Sequence, residues 1–109
     1  MLTIRRGTTP TIRLGVSIDI SDESKWPIVN LAIRDMAGTN IVVGRDAMQL
    51  TANSNGGADL AARLTQEQTL VLVPGAARLQ VRARTANGDA VSTAQYGFEV
   101  RGIIEDGEI

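Results

Sequence analysis

The sequence of 109 residues contains no cysteine and no histidine, and aromatic residues make up only 3% of it. Without cysteine, the chain can form no disulfide and offers no thiolate as a nucleophile or metal ligand. Without histidine, it lacks the commonest metal ligand and the usual general base near neutral pH. The few aromatics also argue against a single-stranded nucleic acid ligand, because such sites stack bases on aromatic side chains. We therefore expect no enzymatic activity, no cofactor and no nucleic acid partner.

Long apolar runs and a strong net charge are lacking as well. No stretch approaches the roughly 20 apolar residues that a membrane helix needs, and the chain does not begin with a signal-peptide pattern. We therefore expect a protein that folds in the cytoplasm and has no membrane partner. The formal net charge is −1, so no overall field attracts an oppositely charged partner.

The charges that are present cluster at the two ends of the chain. Arginines occur near the start, and the last residues are acidic; the residues are Arg5, Arg6, Arg13, Glu105, Asp106 and Glu108. The simpler interpretation is two solvated termini, and the alternative is head-to-tail contact between copies. An apolar content of 43% suits one domain with one core. We expect that domain to span residues 1–104, followed by a short acidic tail at residues 105–109.

The dominant pattern is the alternation of apolar and polar residues with a period of two, which predicts half-buried strands. Clear runs cover residues 11–20 and 58–64, and a strand at 39–43 could continue irregularly to residue 50. Because Gly7–Pro10 interrupts the chain, Leu2–Arg6 is predicted to form a separate short edge strand. One more strand is predicted with its inward-facing residues at Val29, Leu31 and Ile33.

A β-hairpin is predicted near the end of the chain, where Asn87–Gly88 lies between two alternating runs. This dipeptide is typical of a two-residue turn with positive φ at both central positions, and such a turn pairs Ala86 with Asp89. The resulting apolar face pairs Leu79 with Tyr96, Val81 with Ala94, and Ala77 with Phe98. The opposite face pairs Arg78 with Gly97, Arg82 with Thr93, and Arg84 with Val91.

About seven short strands, separated by turns every 8–12 residues, predict an immunoglobulin-like β-sandwich of antiparallel strands without a disulfide. A small closed barrel is the alternative. The only helix expected is one turn near residues 65–69, where Thr65 and Gln68 have the spacing of a capping box.

Three groups of residues are candidate sites. Arg78, Arg82 and Arg84 form a basic stripe that could dock an acidic surface, although a solvated face with Glu99 near Arg78 is the simpler interpretation. Trp26 is either a plug at one end of the core or an exposed interface anchor. A further group, which could bind a hard cation but has the spacing of an ordinary turn, consists of Asp19, Asp22 and Glu23.

Several segments, taken in order, resemble a known family. They are Ile4–Thr8 (IRRGT), Leu64–Thr69 (LTQEQT) before the apolar run to Pro74–Gly75, and Leu79–Arg84 (LQVRAR), then Asn87–Gly88, Ser92, Phe98–Val100 (FEV) and Ile103–Ile104. In this order the chain resembles the immunoglobulin-like domain of phage baseplate and tail-associated proteins, and is similar to the N-terminal domain of siphophage upper baseplate proteins.

The resemblance implies a non-catalytic structural or adaptor protein of a phage or prophage virion. Its partners would be other virion proteins or copies of itself, and we expect a homo-oligomer that ends up in the virion. Contact could be made by Leu2–Arg6 or by the C-terminal segment, each adding to a partner's sheet. The possible interface residues are Leu2, Ile4, Arg5, Arg6, Trp26, Arg78, Arg82, Arg84, Ile103 and Ile104. The alternative function is a carbohydrate- or ligand-binding β-sandwich, for which the chain offers only Trp26, Tyr96 and Phe98 as aromatics.

Overall fold

The computed structural model describes residues 2–93, 95–104 and 107–109. Within them the chain forms nine strands, one short α-helix and one 3-10 turn. The strands are β1 (Thr3–Arg5), β2 (Thr11–Val16), β3 (Ile28–Asp35), β4 (Asn40–Gly44), β5 (Met48–Ala52), β6 (Ala58–Arg63), β7 (Gly75–Arg84), β8 (Ala90–Ser92) and β9 (Tyr96–Arg101). The helix α1 spans Gln66–Leu70, and the 3-10 turn spans Arg45–Ala47.

The strands form two sheets. The larger sheet has the order β1-β9-β7-β3-β4, with β8 also paired to β7, and the smaller sheet has the order β2-β6-β5. Apolar residues of both sheets meet in one core, among them Ile12 and Leu60 from the smaller sheet and Leu31, Ile33 and Leu79 from the larger. Because both sheets keep free edges, the fold is the predicted immunoglobulin-like sandwich rather than the closed barrel.

The predicted set of about seven antiparallel strands needs two corrections. The structure has nine strands in its described part, because β5 is a strand of its own and the last predicted strand is divided into β8 and β9. In addition, β1 runs parallel to β9, pairing Ile4 with Val100. The rest of the strand pairing is antiparallel.

The alternation that predicted the strands is reproduced in their burial. Along β6, Ala58, Leu60 and Ala62 are buried, and along β3, Val29, Leu31 and Ile33 are buried. Burying an isoleucine or leucine side chain contributes about 1.5–3 kcal/mol, so a shift of one residue in any of these strands would expose most of its apolar set.

Strand β2 is shorter than predicted. It ends at Val16, because its partner β6 begins opposite that residue, at Ala58. The side chain of Ile18 is consequently exposed, whereas Ile20 returns to the core from the following loop.

The predicted hairpin forms, but its turn is different. Thr85 rather than Ala86 pairs with Asp89, since the Thr85 N–H donates to the Asp89 carbonyl over 2.8 Å. The loop therefore has three residues, and Gly88 alone has a positive φ, of 94°. A type I turn followed by a glycine in this conformation is the usual three-residue hairpin loop.

The altered turn shifts the register of β8 by one residue. Val91 lies opposite Ala83, not Arg84, and Ser92 lies opposite Arg82. Further from the turn, the predicted pairs of Ala77 with Phe98, Arg78 with Gly97, and Leu79 with Tyr96 are confirmed. The predicted pair of Val81 with Ala94 lies outside the described residues. Strands β8 and β9 thus pair with β7 in registers that differ by one residue. Tyr96 lies opposite Leu79, as predicted, but is 44% exposed.

The helical turn is confirmed with its capping box. The Thr65 hydroxyl accepts a hydrogen bond from the Gln68 backbone N–H over 3.1 Å, and the Gln68 side chain accepts one from the Thr65 N–H over 2.8 Å. Thr69, in the same helix, is buried and donates its hydroxyl to the Thr8 carbonyl. Helix α1 is thereby attached to the segment that joins β1 to β2.

Two residues of the predicted acidic tail, Glu105 and Asp106, lie outside the described residues. Further on, the Ile109 backbone N–H donates to the Gln66 side chain over 3.0 Å. The end of the chain thus contacts α1.

Candidate interaction surfaces

The N-terminal strand is built into the domain. Both Leu2 and Ile4 were predicted as interface residues. Ile4 is completely buried, so its side chain cannot contact a partner, whereas Leu2 is only partly buried against the core. Arg6 donates to the Leu70 carbonyl over 2.6 Å, which ties the end of the strand to α1. Arg5 is exposed. The edge of β1 that does not face β9 has no strand beside it within the described part of the chain.

Trp26 belongs to the core, in agreement with the first of its two interpretations, a core residue rather than an interface anchor. Its side chain is only 6% exposed, so it is not available as an interface anchor. The backbone around it is held by Arg45, whose guanidinium donates to the carbonyls of Trp26 (2.9 Å), Ile20 (3.0 Å) and Ser21 (2.7 Å). Arg45 thus has a structural role that the sequence did not reveal.

The predicted basic stripe is exposed on the outer face of the larger sheet. Arg78, Arg82 and Arg84 alternate with buried residues along β7. The structure adds Arg34 of β3, which lies directly opposite Arg78. Glu99, the predicted counter-charge of Arg78, instead pairs with Arg101 over 3.4 Å, and Arg78 donates to the Gln95 side chain over 3.2 Å.

A shallow groove of about 570 Å³ lies beside these arginines. Arg34, Arg78 and Gln95 line it, together with Ala32 and Ala76. The small alanine side chains on neighbouring strands leave the depression between the longer polar ones. We name this surface the basic groove.

The loop from Ser17 to Lys25 carries the predicted acidic group. The Asp19 carboxylate accepts hydrogen bonds from the Ser21 hydroxyl and N–H, and the Asp22 carboxylate accepts the same pair from Ser24. These bonds lower the pKa of both carboxyls. Each aspartate thus closes a turn, as the turn interpretation predicts. Within residues 2–93, 95–104 and 107–109, no three histidine, cysteine or carboxylate side chains lie close enough together to hold a metal ion.

A cluster of exposed apolar side chains lies at the end of the sandwich near α1, and we name it the apolar end. Its members are Met36 (67% exposed), Val71 (51%), Val73 (39%) and Ile104. Of the C-terminal pair predicted as interface residues, Ile104 is fully exposed, whereas Ile103 is half-buried and lies over Gly7. The sequence predicted an apolar run through residues 70–73 but not which of its side chains face outward.

A second cleft, of about 370 Å³, opens between the end of β2 and strand β8. Ile18, Val91 and Tyr96 are among the residues that line it. Tyr96 is also the one aromatic residue of the chain that is exposed, since Trp26 and Phe98 are both buried. The structure therefore offers no group of exposed aromatics of the kind that sugar-binding sites use.

No known protein-family model matches this chain, and no curated protein sequence matches it. Among solved structures it is similar to CopC from Methylosinus trichosporium OB3b, with 14% identity and a TM-score of 0.48 over 92% of this chain and 84% of that chain. It is also similar to murine CRIg, with 13% identity and a TM-score of 0.37 over 94% of this chain and 91% of that chain. Neither likeness extends to activity, ligand or partner.

In the described part of the chain, none of the helices has the length and apolar character needed to span a membrane.

Proposed function

We propose that this domain is a non-catalytic structural or adaptor component of a phage or prophage virion, associated with the tail or baseplate, and that it acts through protein–protein contacts. The order of segments from Ile4–Thr8 to Ile103–Ile104 resembles that of phage baseplate and tail-associated domains. The observation that carries the contact mechanism is the apolar end.

The residues of the apolar end come from different parts of the chain but lie together. Val73 donates its backbone N–H to the Asp35 carboxylate, next to Met36. Met36 lies so close to Gly75 that a Cβ there would collide with its sulphur atom. A Cβ at Gly102, two residues before Ile104, would lie in ordinary contact with the Pro74 side chain. Met36 and Val73 therefore lie close together, and the segment that leads to Ile104 passes beside Pro74.

An apolar cluster of this kind favours contact with another protein. Single exposed apolar residues are ordinary on protein surfaces, but contiguous ones mark interaction sites. Each valine, isoleucine or methionine side chain that a partner covers completely would contribute about 1.5–3 kcal/mol. The exposed edge of β1 provides a second mode of contact, by the addition of a partner strand.

The experiment uses point variants rather than deletion of residues 1–6, because that deletion would also remove Ile4 from the core. A tagged chain is produced in a host in which a phage carrying its gene multiplies, and particles are purified on a density gradient. We expect the chain to cosediment with tails or whole particles, and the double variant Val71→Asp, Val73→Asp to remain in the soluble fraction.

The control is Ile28→Asp, which places one such charge on an exposed apolar residue at the start of β3, the end away from Met36. This variant should still enter particles, and circular dichroism should show that both variants are folded. A wild-type chain that never cosediments with particles refutes the virion assignment. Equal incorporation of the double variant and the control refutes the role of the apolar end.

A further inference from the structure

The basic groove contains two cations that the protein itself does not neutralise. Arg34 and Arg78 lie directly opposite each other on β3 and β7, and like charges in that position destabilise a sheet. Among the described residues neither forms an ion pair, and Arg78 has only the neutral Gln95 side chain as a hydrogen-bond acceptor. Their juxtaposition is therefore a cost to the isolated domain.

The nearest carboxylate in sequence does not serve as the counter-charge. Asp35 follows Arg34, but it is only 4% exposed. Both of its side-chain oxygens accept backbone hydrogen bonds, from Ala37, Thr39 and Val73. The groove thus keeps positive charge that faces solvent without an ion-pair partner among the described residues.

A complementary negative surface exists on the same chain. Asp19, Asp22 and Glu23 are all exposed in the loop from Ser17 to Lys25. The turns closed by Ser21 and Ser24, and the hydrogen bonds from Arg45 to carbonyls within the loop and just after it, fix its shape. A preformed acidic loop loses little conformational entropy on binding.

The loop and the groove of one molecule cannot meet. The Ala86 N–H donates to the Lys25 carbonyl, so the loop lies at the end of β7 that carries Arg84. Arg78 is six residues away along the same strand, which is about 20 Å at the usual rise of a strand. The two charged surfaces can therefore be joined only between molecules.

We propose that the acidic loop of one copy docks on the basic groove of a second copy, in a head-to-tail contact that repeats from molecule to molecule. Such a contact uses two different surfaces, so it produces a ring where the rotation closes and a filament where it does not. This self-association does not depend on the virion assignment, and it would cover Met36, which lines the groove as well as belonging to the apolar end.

The contact is tested by analytical ultracentrifugation of the full chain in low and high salt. The wild type should associate at about 0.01 M salt and dissociate at about 1 M salt, where the screening length falls from about 30 Å to about 3 Å. Two charge reversals, Arg78→Glu and Glu23→Lys, should each abolish association, because each places like charges across the contact. The control Arg13→Glu reverses an exposed arginine on the smaller sheet and should associate like the wild type.

The decisive sample is an equimolar mixture of the Arg78→Glu and Glu23→Lys proteins. In alternating copies, the lysine introduced into one variant would meet the glutamate introduced into the other, and the native Glu23 would meet the native Arg78, so association should return. A wild type that is monomeric in low salt overturns the proposal. So does a mixture that stays monomeric, or an Arg78→Glu protein that still associates. Because all these measurements use purified protein, they are independent of the particle experiment above.

Discussion

The carboxylate of Asp35 accepts a hydrogen bond from the backbone N–H of Val73, 38 residues further along the chain, over 2.8 Å. Its other oxygen accepts the N–H groups of Ala37 (3.0 Å) and Thr39 (2.8 Å) in the turn between β3 and β4. One buried carboxylate therefore joins that turn to the segment that leads from α1 into β7. Both structures lie at the apolar end and beside the basic groove.

We predict that Asp35→Asn lowers the free energy of unfolding by about 2 kcal/mol. The asparagine has nearly the same shape, but its amide nitrogen cannot accept a hydrogen bond. At least one of the three N–H groups that Asp35 binds therefore loses its acceptor, at a typical cost of about 1–3 kcal/mol. Chemical denaturation measures the difference. The control Asp46→Asn removes a carboxylate that is exposed and should change stability by less than about 0.5 kcal/mol; equal effects of the two variants would contradict the prediction.

The same carboxylate predicts how stability depends on pH. Burial alone would raise the pKa of Asp35, but the hydrogen bonds from Val73, Thr39 and Ala37 outweigh it, so the pKa lies below its ordinary value. The stabilisation is therefore complete above the unfolded-state value of about 3.9, and it disappears as the pH falls through the folded-state pKa. The stability gap between wild type and Asp35→Asn should narrow as the pH falls below about 4. A gap that stays constant or widens in acid would contradict this.

The sequence predicted the strands whose alternation is regular and missed what depends on contacts between strands. Alternation located β3, β6 and β7, and the capping box located α1. Met48–Ala52 does alternate, but β5 was not predicted as a separate strand, because the sequence does not show that the 3-10 turn at Arg45–Ala47 ends β4 and that the chain then pairs with β6. The hairpin turn was wrong because Asn87–Gly88 suits a three-residue loop as well as a two-residue one.

The candidate surfaces were predicted only in part for the same reason. Alternation alone placed Arg78, Arg82 and Arg84 on one exposed face. That Arg34 lies opposite Arg78 follows from the pairing of β3 with β7, for which the sequence contains no signal. The apolar end likewise combines residues more than 60 positions apart, such as Met36 and Ile104, and the sequence does not show that their side chains are exposed.

Gly57 is predicted to tolerate no side chain. A Cβ at this position would collide with the carbonyl oxygen of Val16, where β2 and β6 begin to separate. We expect Gly57→Ala to cost about 1–3 kcal/mol, as is usual for overpacking against a rigid neighbour. The control is Gly97→Ala, because a Cβ at Gly97 meets nothing within 4 Å. Thermal denaturation compares the two, and a Gly57→Ala protein as stable as Gly97→Ala would refute the close approach.

The hairpin turn is tested by comparing two adjacent substitutions. Gly88 has a φ of 94°, whereas no residue other than glycine has a positive φ among the described residues. Gly88→Ala should therefore cost about 1–2 kcal/mol, and Asn87→Ala less than about 0.5 kcal/mol. In a two-residue turn both positions would need a positive φ, so similar losses for the two variants would favour that turn and its register instead.

We predict that the guanidinium of Arg45 fixes the loop that precedes Trp26 in the sequence. Its two terminal nitrogens donate to three carbonyls, and the compact ammonium of lysine cannot reproduce that planar fork. We expect Arg45→Lys to lower the free energy of unfolding by about 2 kcal/mol, the scale of a hydrogen bond to a charged group. Because Trp26 is the only tryptophan and is buried, its fluorescence reports both unfolding and any opening of the loop in the native state. The control Arg13→Lys should behave like the wild type, and an Arg45→Lys protein that matches it would show that the three carbonyls do not need the arginine.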